Sequence, residues 1–243
     1  MLVRVHLVSE IRDHSANGIE LIRPLVNDAL RFVEVEFADL GAPDVLRTTD
    51  IEVRLLSKPV KEGRWDLMNC ETGCNPPQIE AIAPPAHPDV VEGGFSSSYD
   101  RLWYLKNLVH ECTALFLWLY RPSAPKWSLH EAPEWFVEGL EEYVAIEHSV
   151  REARDRYRKQ YLPRLASETV QSRFSSVADK YADGYLIHLF LHEQSSAAGV
   201  HRILHRTEPS FWQGLTHCLD RDLDRLYSDW QLWRSRRASN PLR

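Results

Sequence analysis

Residues 99–120 place the strongest constraint on the fold. They make a run of helical length that is apolar on nearly every face, yet carries His110 and Glu111 at its centre. A helix of this kind belongs between layers of structure, since no face of it suits water. Burying two ionisable groups without partners costs several kcal/mol, so the rest of the chain must provide for them.

The local pattern is Val109-His110-Glu111-Cys112-Thr113-Ala114. On a helix, His-Glu-x-x-His sets two imidazoles one turn apart on one face, where they hold a metal, with the Glu beside the metal-bound water as general base. Here the second imidazole position is Ala114, whose methyl group has no electron pair to donate. A second pattern follows, Glu134-Trp135-Phe136-Val137-Glu138-Gly139-Leu140-Glu141-Glu142-Tyr143. Glu138 and Glu142 are four apart and share a helix face. If Glu138 points at a metal, Glu142 sits one turn along, placed to accept a hydrogen bond from the far nitrogen of His110.

Together the two patterns resemble the gluzincins, the peptidase MA-like group, in which a His-Glu-x-x-His helix precedes one beginning Trp-x-x-Glu-Gly-x-x-Glu-Tyr. Trp135, Glu138, Gly139, Glu142 and Tyr143 match the second motif. The resemblance implies a zincin-like fold with His110 as first metal ligand, Glu111 as general base and Glu138 as third ligand. The missing ligand falls at Ala114 and the second shell at Glu142. It further implies that Tyr185 or Tyr181, near the start of a later helix, donates to the developing oxyanion. The similarity in element order runs from about residue 79 to 230, ending in Leu226-Tyr227-Ser228-Asp229-Trp230, and only the two motif helices are specific.

Catalytic zinc keeps three protein ligands and an open position. His110 and Glu138 alone supply two. Thr113 is a poor zinc ligand, and Cys112 projects about 200° around the helix from His110. More distant nitrogen donors are His130, before the second motif helix, and His188 with His192, four apart on the later helix. Each of these reads better as a solvated or core-edge histidine. Without metal, Glu111, His110, Glu138 and Glu142 form an acid cluster suited to proton transfer or to holding a ligand.

The chain has 243 residues, 44% of them apolar, enough to bury a core without metal or disulfide. A net charge of −6 offers no basic field for nucleic acid or anionic lipid, and no stretch has the length of a membrane span. The first residues alternate like a strand and lack the charged leader and apolar block of a signal peptide, so a cytoplasmic protein is expected. Cys70 and Cys74, flanking a loop-like segment, read as free loop thiols.

Alternation predicts strands at residues 3–8, 51–56 and 79–83, with an amphipathic helix at 18–40 making a parallel crossover between the first two. The family resemblance makes 79–83 the edge strand along the cleft. A Pro-, Gly- and Ser-containing loop follows at 87–98. Pro133 is expected at the first position of the second motif helix, a charged helix at 151–161, and helices from 178 to 237 broken at Gly199, Pro209 and Asp220. The expected architecture is α+β: an N-terminal lobe (1–120) with a small mixed sheet and the central His-Glu helix, and a helical C-terminal lobe (121–243), integrated as one zincin-like domain.

Three functions follow from this reading. One is a degenerate zincin that binds a small molecule or peptide in the inter-lobe cleft. Another is a cleft recruited for metal-independent acid–base chemistry, with Glu111 as base and His110 or Tyr185 assisting. The third is a zinc metallopeptidase whose missing ligand is substituted elsewhere or was removed by engineering. Ligand count favours the first two, in which zinc binding is weakened or absent.

Overall fold

Parallel pairing of the first two predicted strands sets the frame. In the computed structural model, which describes residues 4–9, 16–56, 68–71, 74–82, 90–91, 94–95, 98–166, 174, 177 and 179–239, β1 (Arg4–Ser9) runs parallel to β2 (Asp50–Leu56), with Val5 opposite Ile51 and Leu7 opposite Val53. The crossover between them is α1 (Ala16–Glu36). Its Ile22, Leu25, Val26, Ala29, Leu30 and Val33 are buried, the three-and-four spacing of one apolar stripe. On β2, Ile51, Val53 and Leu55 are fully buried while the residues between them are half-buried. One of these, Arg54, lies 3.5 Å from Glu52 and 3.8 Å from Glu80, so the opposite face of the sheet is a charged ladder.

The predicted helix at 18–40 ends earlier than its apolar pattern. Gly41, at φ 77°, turns the chain, and α2 (Ala42–Thr48) begins at once with Pro43 in its first turn. The proline sits in the first turn of the helix, a favoured place for it.

The third predicted strand is β4 (Gln78–Ile82), and it is not an edge. It lies between β2, parallel to it, and β3 (Met68–Glu71), antiparallel to it, giving the order β1-β2-β4-β3. β3 takes the place expected of a loop and contains Cys70. The sheet is therefore mixed, with β4 unavailable for strand addition. Cys74 is exposed, and none of the four cysteines is in a disulfide. Two short strands, β5 (Val90–Val91) and β6 (Gly94–Phe95), pair antiparallel within the expected loop at 87–98. The remainder of that loop up to residue 97, together with Val3, Thr72, Gly73, Ala83, Pro84, Pro85 and Ala178, lies outside the described residues.

The apolar run becomes α3 (Ser98–Leu119). Tyr104, Leu108, Cys112, Leu115 and Phe116 are fully buried, and Phe116 stacks on Phe37 at 4.9 Å between ring centroids. By its contacts the chain divides into two compact units, Met1–Tyr120 with His148–Ala153, and Arg121–Glu147 with Arg154–Arg243. In the first, the His148 ring donates to Glu36 at 2.9 Å and stacks on Phe32.

The second unit is helical. It holds α4 (Glu134–Glu147), most of α5 (Arg151–Tyr161), α6 (Ala182–Gln194), α7 (Ala197–His201), α8 (Phe211–Leu219) and α9 (Leu223–Ser239). Pro133 precedes α4 rather than opening it, and its carbonyl accepts from the Phe136 amide. α4 and α6 meet at Gly139 and Gly184. A Cβ on Gly139 would stand 2.6 Å from the Gly184 Cα, and one on Gly184 would stand 2.7 Å from the Trp135 carbonyl oxygen. The helix backbones are thus in contact, which requires glycine on both sides.

Asp179 starts α6 by accepting from the amides of Tyr181 and Ala182, while Asp183 accepts from the Asp179 amide. Arg164 binds both acids, at 2.8 Å from Asp183 and 3.2 Å from Asp179. The predicted break at Gly199 falls earlier, at Ser195 and Ser196. Gly199 lies inside α7 and its amide donates to the Ser196 hydroxyl. Asp220, at φ 51°, does end α8. No helix among the described residues is long and apolar enough to cross a membrane.

Candidate functional site

On α3, His110 is 9% exposed and Glu111 half-buried, and Ala114 lies one turn beyond His110 on the same stripe. One turn before His110 on that stripe is Lys106, 8% exposed, a buried cation the motif analysis passed over. Neither Cys112 nor Thr113 can replace the missing imidazole. The Thr113 hydroxyl donates to the Val109 carbonyl at 2.8 Å. The Cys112 thiol is fully buried and held protonated, pushed up first by burial and then by the Glu111 charge.

α4 presents its acids differently, for each named donor comes from its own unit. Glu138 Oε1 receives the Lys180 ammonium at 2.6 Å. Glu142 Oε1 accepts from the Tyr161 hydroxyl at 2.8 Å. At the end of the helix, Glu147 takes Arg158 in a two-pronged contact at 3.1 and 2.6 Å and also accepts from Tyr185 at 2.9 Å. Desolvation pulls the Lys180 pKa down, but the hydrogen bond and charge of Glu138 outweigh it and hold it above the ordinary value. Lys180 is thus a permanent cation on the carboxylate expected to bind metal. Burial, then Glu142, pushes the Tyr161 phenol well up.

Tyr185 is not placed to meet a group reacting beside Glu138. Its hydroxyl is engaged with Glu147, nine residues and about 13 Å along the α4 axis from Glu138. Burial first, and then Glu147, pushes its phenol well above the ordinary value. Tyr181 is exposed at the head of α6, with the Lys180 ammonium 5.2 Å from its ring centre. Tyr143 packs its ring on His192 at 3.9 Å and 16°, a stacking contact rather than a catalytic one.

Each histidine of the α6 pair spends one ring nitrogen on a backbone carbonyl. His188 is fully buried and gives its Nε2 proton to the Phe136 carbonyl at 2.8 Å. His192 gives its Nδ1 proton to the His188 carbonyl. Burial holds His188 neutral, well below the ordinary histidine range, with the nearby His192 adding to the effect. His130 is exposed in a 3-10 turn (Leu129–Glu131) whose cap is Ser128.

Two positions of the expected gluzincin donor set are altered. The position of one imidazole holds a methyl group, and the carboxylate of another ligand holds an ammonium. Sequence reasoning missed Lys180 and Tyr161 because nothing in their local spacing ties them to residues 42 and 19 positions away. No protein-family model matches the chain, and neither a curated protein nor a solved structure is similar to it. The resemblance to gluzincins therefore rests on the two motifs alone.

Proposed function

We propose that this chain is a zincin-like pseudo-peptidase, a protein of that ancestry that binds a small molecule or peptide instead of hydrolysing peptide bonds. The observation that carries the reading is the Lys180 ammonium at 2.6 Å from Glu138. A metal's role toward that carboxylate is to supply positive charge, and here a lysine supplies it. With Ala114 in the second ligand position, the two changes agree: one removes a donor and the other neutralises a donor. Lys106, one turn from His110 on α3, is a buried lysine beside the first motif.

Glu111 supports a further reading, in which the same residues perform acid–base chemistry on the bound molecule. It lies half-buried in an apolar helix where a carboxylate without a task is costly. Replacing it with glutamine separates the two: binding survives in both cases, and turnover of a bound small molecule is lost only if Glu111 is the base. A working zinc peptidase predicts instead that purified protein carries zinc and that Glu138→Gln removes it. Four free thiols fit a reducing compartment, and we place the protein in the cytoplasm on that ground.

A further inference from the structure

Within the second unit, a cavity of about 230 Å³ is formed by the 3-10 turn Arg202–His205, the residues after it, and α8. At about 30 Å³ per water in the liquid, this is room for roughly eight waters, a small molecule but not a peptide. Two arginines reach its wall, Arg202 from the turn and Arg206 from the residue after it. They share the wall because Arg206 adopts a left-handed conformation at φ 54°, which reverses the chain, and the Lys126 amide clamps its carbonyl at 2.8 Å. A non-glycine residue costs free energy in that region, so the turn is held by its surroundings.

The wall contains one acid, Glu208, which takes a hydrogen bond from His217 Nδ1 at 2.9 Å. The two guanidinium groups thus outnumber the carboxylates of the wall, in a chain whose net charge is −6. Trp127, also in the wall, has a buried indole N–H with no acceptor among the described residues. Cys218 completes the lining as a neutral thiol, kept protonated by burial against the opposing pull of Arg202.

We propose that this cavity binds a small dianion, with Arg202 and Arg206 receiving its oxyanion groups. Arginine forks match carboxylate and phosphate oxygens alike. Both sources share this chemistry, a short dicarboxylate or a free phosphate. The site owes nothing to the motif helices, so it stands or falls separately from the pseudo-peptidase reading.

Cys218 supplies the test. The full chain is labelled with iodoacetamide and each cysteine peptide is followed by mass spectrometry, with exposed Cys74 as reference in the same molecule. Millimolar succinate, inorganic phosphate and sodium chloride of matched ionic strength are compared. The expected result is that succinate or phosphate slows Cys218 labelling about fivefold, as mass action gives at a few times Kd, and leaves Cys74 unchanged. Arg202→Gln abolishes the protection. Gly214→Ala weakens it by narrowing the cavity, and is tolerated because the new methyl meets Ile203 at an ordinary 3.8 Å. Protection by succinate alone assigns a dicarboxylate, and by phosphate alone a phosphate. If neither dianion protects beyond sodium chloride, or if Arg202→Gln keeps the protection, the proposal is wrong.

Discussion

The two motif helices pack by different means. α3 buries aromatic and aliphatic side chains along most of its length and carries His110 and Glu111 within that packing. α4 approaches its neighbour α6 through glycine backbones and gives Glu138, Glu142 and Glu147 named donors from Lys180, Tyr161, Arg158 and Tyr185. The lesson is that one conserved-looking string, Glu-Gly-x-x-Glu-Tyr, mixes roles. Gly139 is there for close approach, Tyr143 for stacking, and Glu138 for an ion pair.

The difference between the helices is best broken by volume. Phe116→Ala on α3 removes a fully buried ring stacked on Phe37 and should cost about 4 kcal/mol, read as a lower urea midpoint with unchanged slope. On α4 the damaging change is an addition. Gly139→Ala forces a methyl against the Gly184 backbone and should cost about 2–3 kcal/mol by the same measurement. If Gly139→Ala were neutral, the helices would not be in contact as described.

Smaller effects sharpen the electrostatic half of the contrast. Tyr161→Phe removes one hydrogen bond to the Glu142 carboxylate and should cost about 1 kcal/mol in equilibrium unfolding. His188 gives a pH dependence whose sign is fixed. It is neutral in the fold, with its pKa below the unfolded value of about 6.5, so the unfolded chain binds the extra proton. Its contribution is present above that pH and is lost as pH falls below it. His188→Gln, which keeps a donor for the Phe136 carbonyl, should flatten the fall in thermal midpoint between neutral and mildly acidic pH.

Much of this architecture was legible in the residues, for reasons particular to each element. Alternating apolar residues at 51–56 and the three-and-four spacing of α1 read correctly because each element buries one face. β3 did not, since Met68-Asn69-Cys70-Glu71 is four residues with no clear period, and β4, which the family resemblance put at the edge, lies between β3 and β2. α2 was hidden by Pro43, which looks the same at a stop and at a start. In the candidate site, spacing along each motif helix singled out His110 with Glu111 on α3 and Glu138 with Glu142 on α4. Lys180 and Tyr161, the partners of the two α4 carboxylates, come from other elements that this spacing does not register, as does the contact of the Tyr185 hydroxyl with Glu147.

The central claim is that a lysine has taken over the charge a metal would bring to Glu138. Zinc content after exposure to equimolar zinc and a mild chelator tests it directly, comparing the natural chain with an Ala114→His, Lys180→Met double variant. The account predicts well under one equivalent in the natural chain and a clear gain in the double variant, which restores an imidazole donor and removes the competing ammonium. A natural chain that retains a full equivalent, and loses it on Glu138→Gln, would contradict the account.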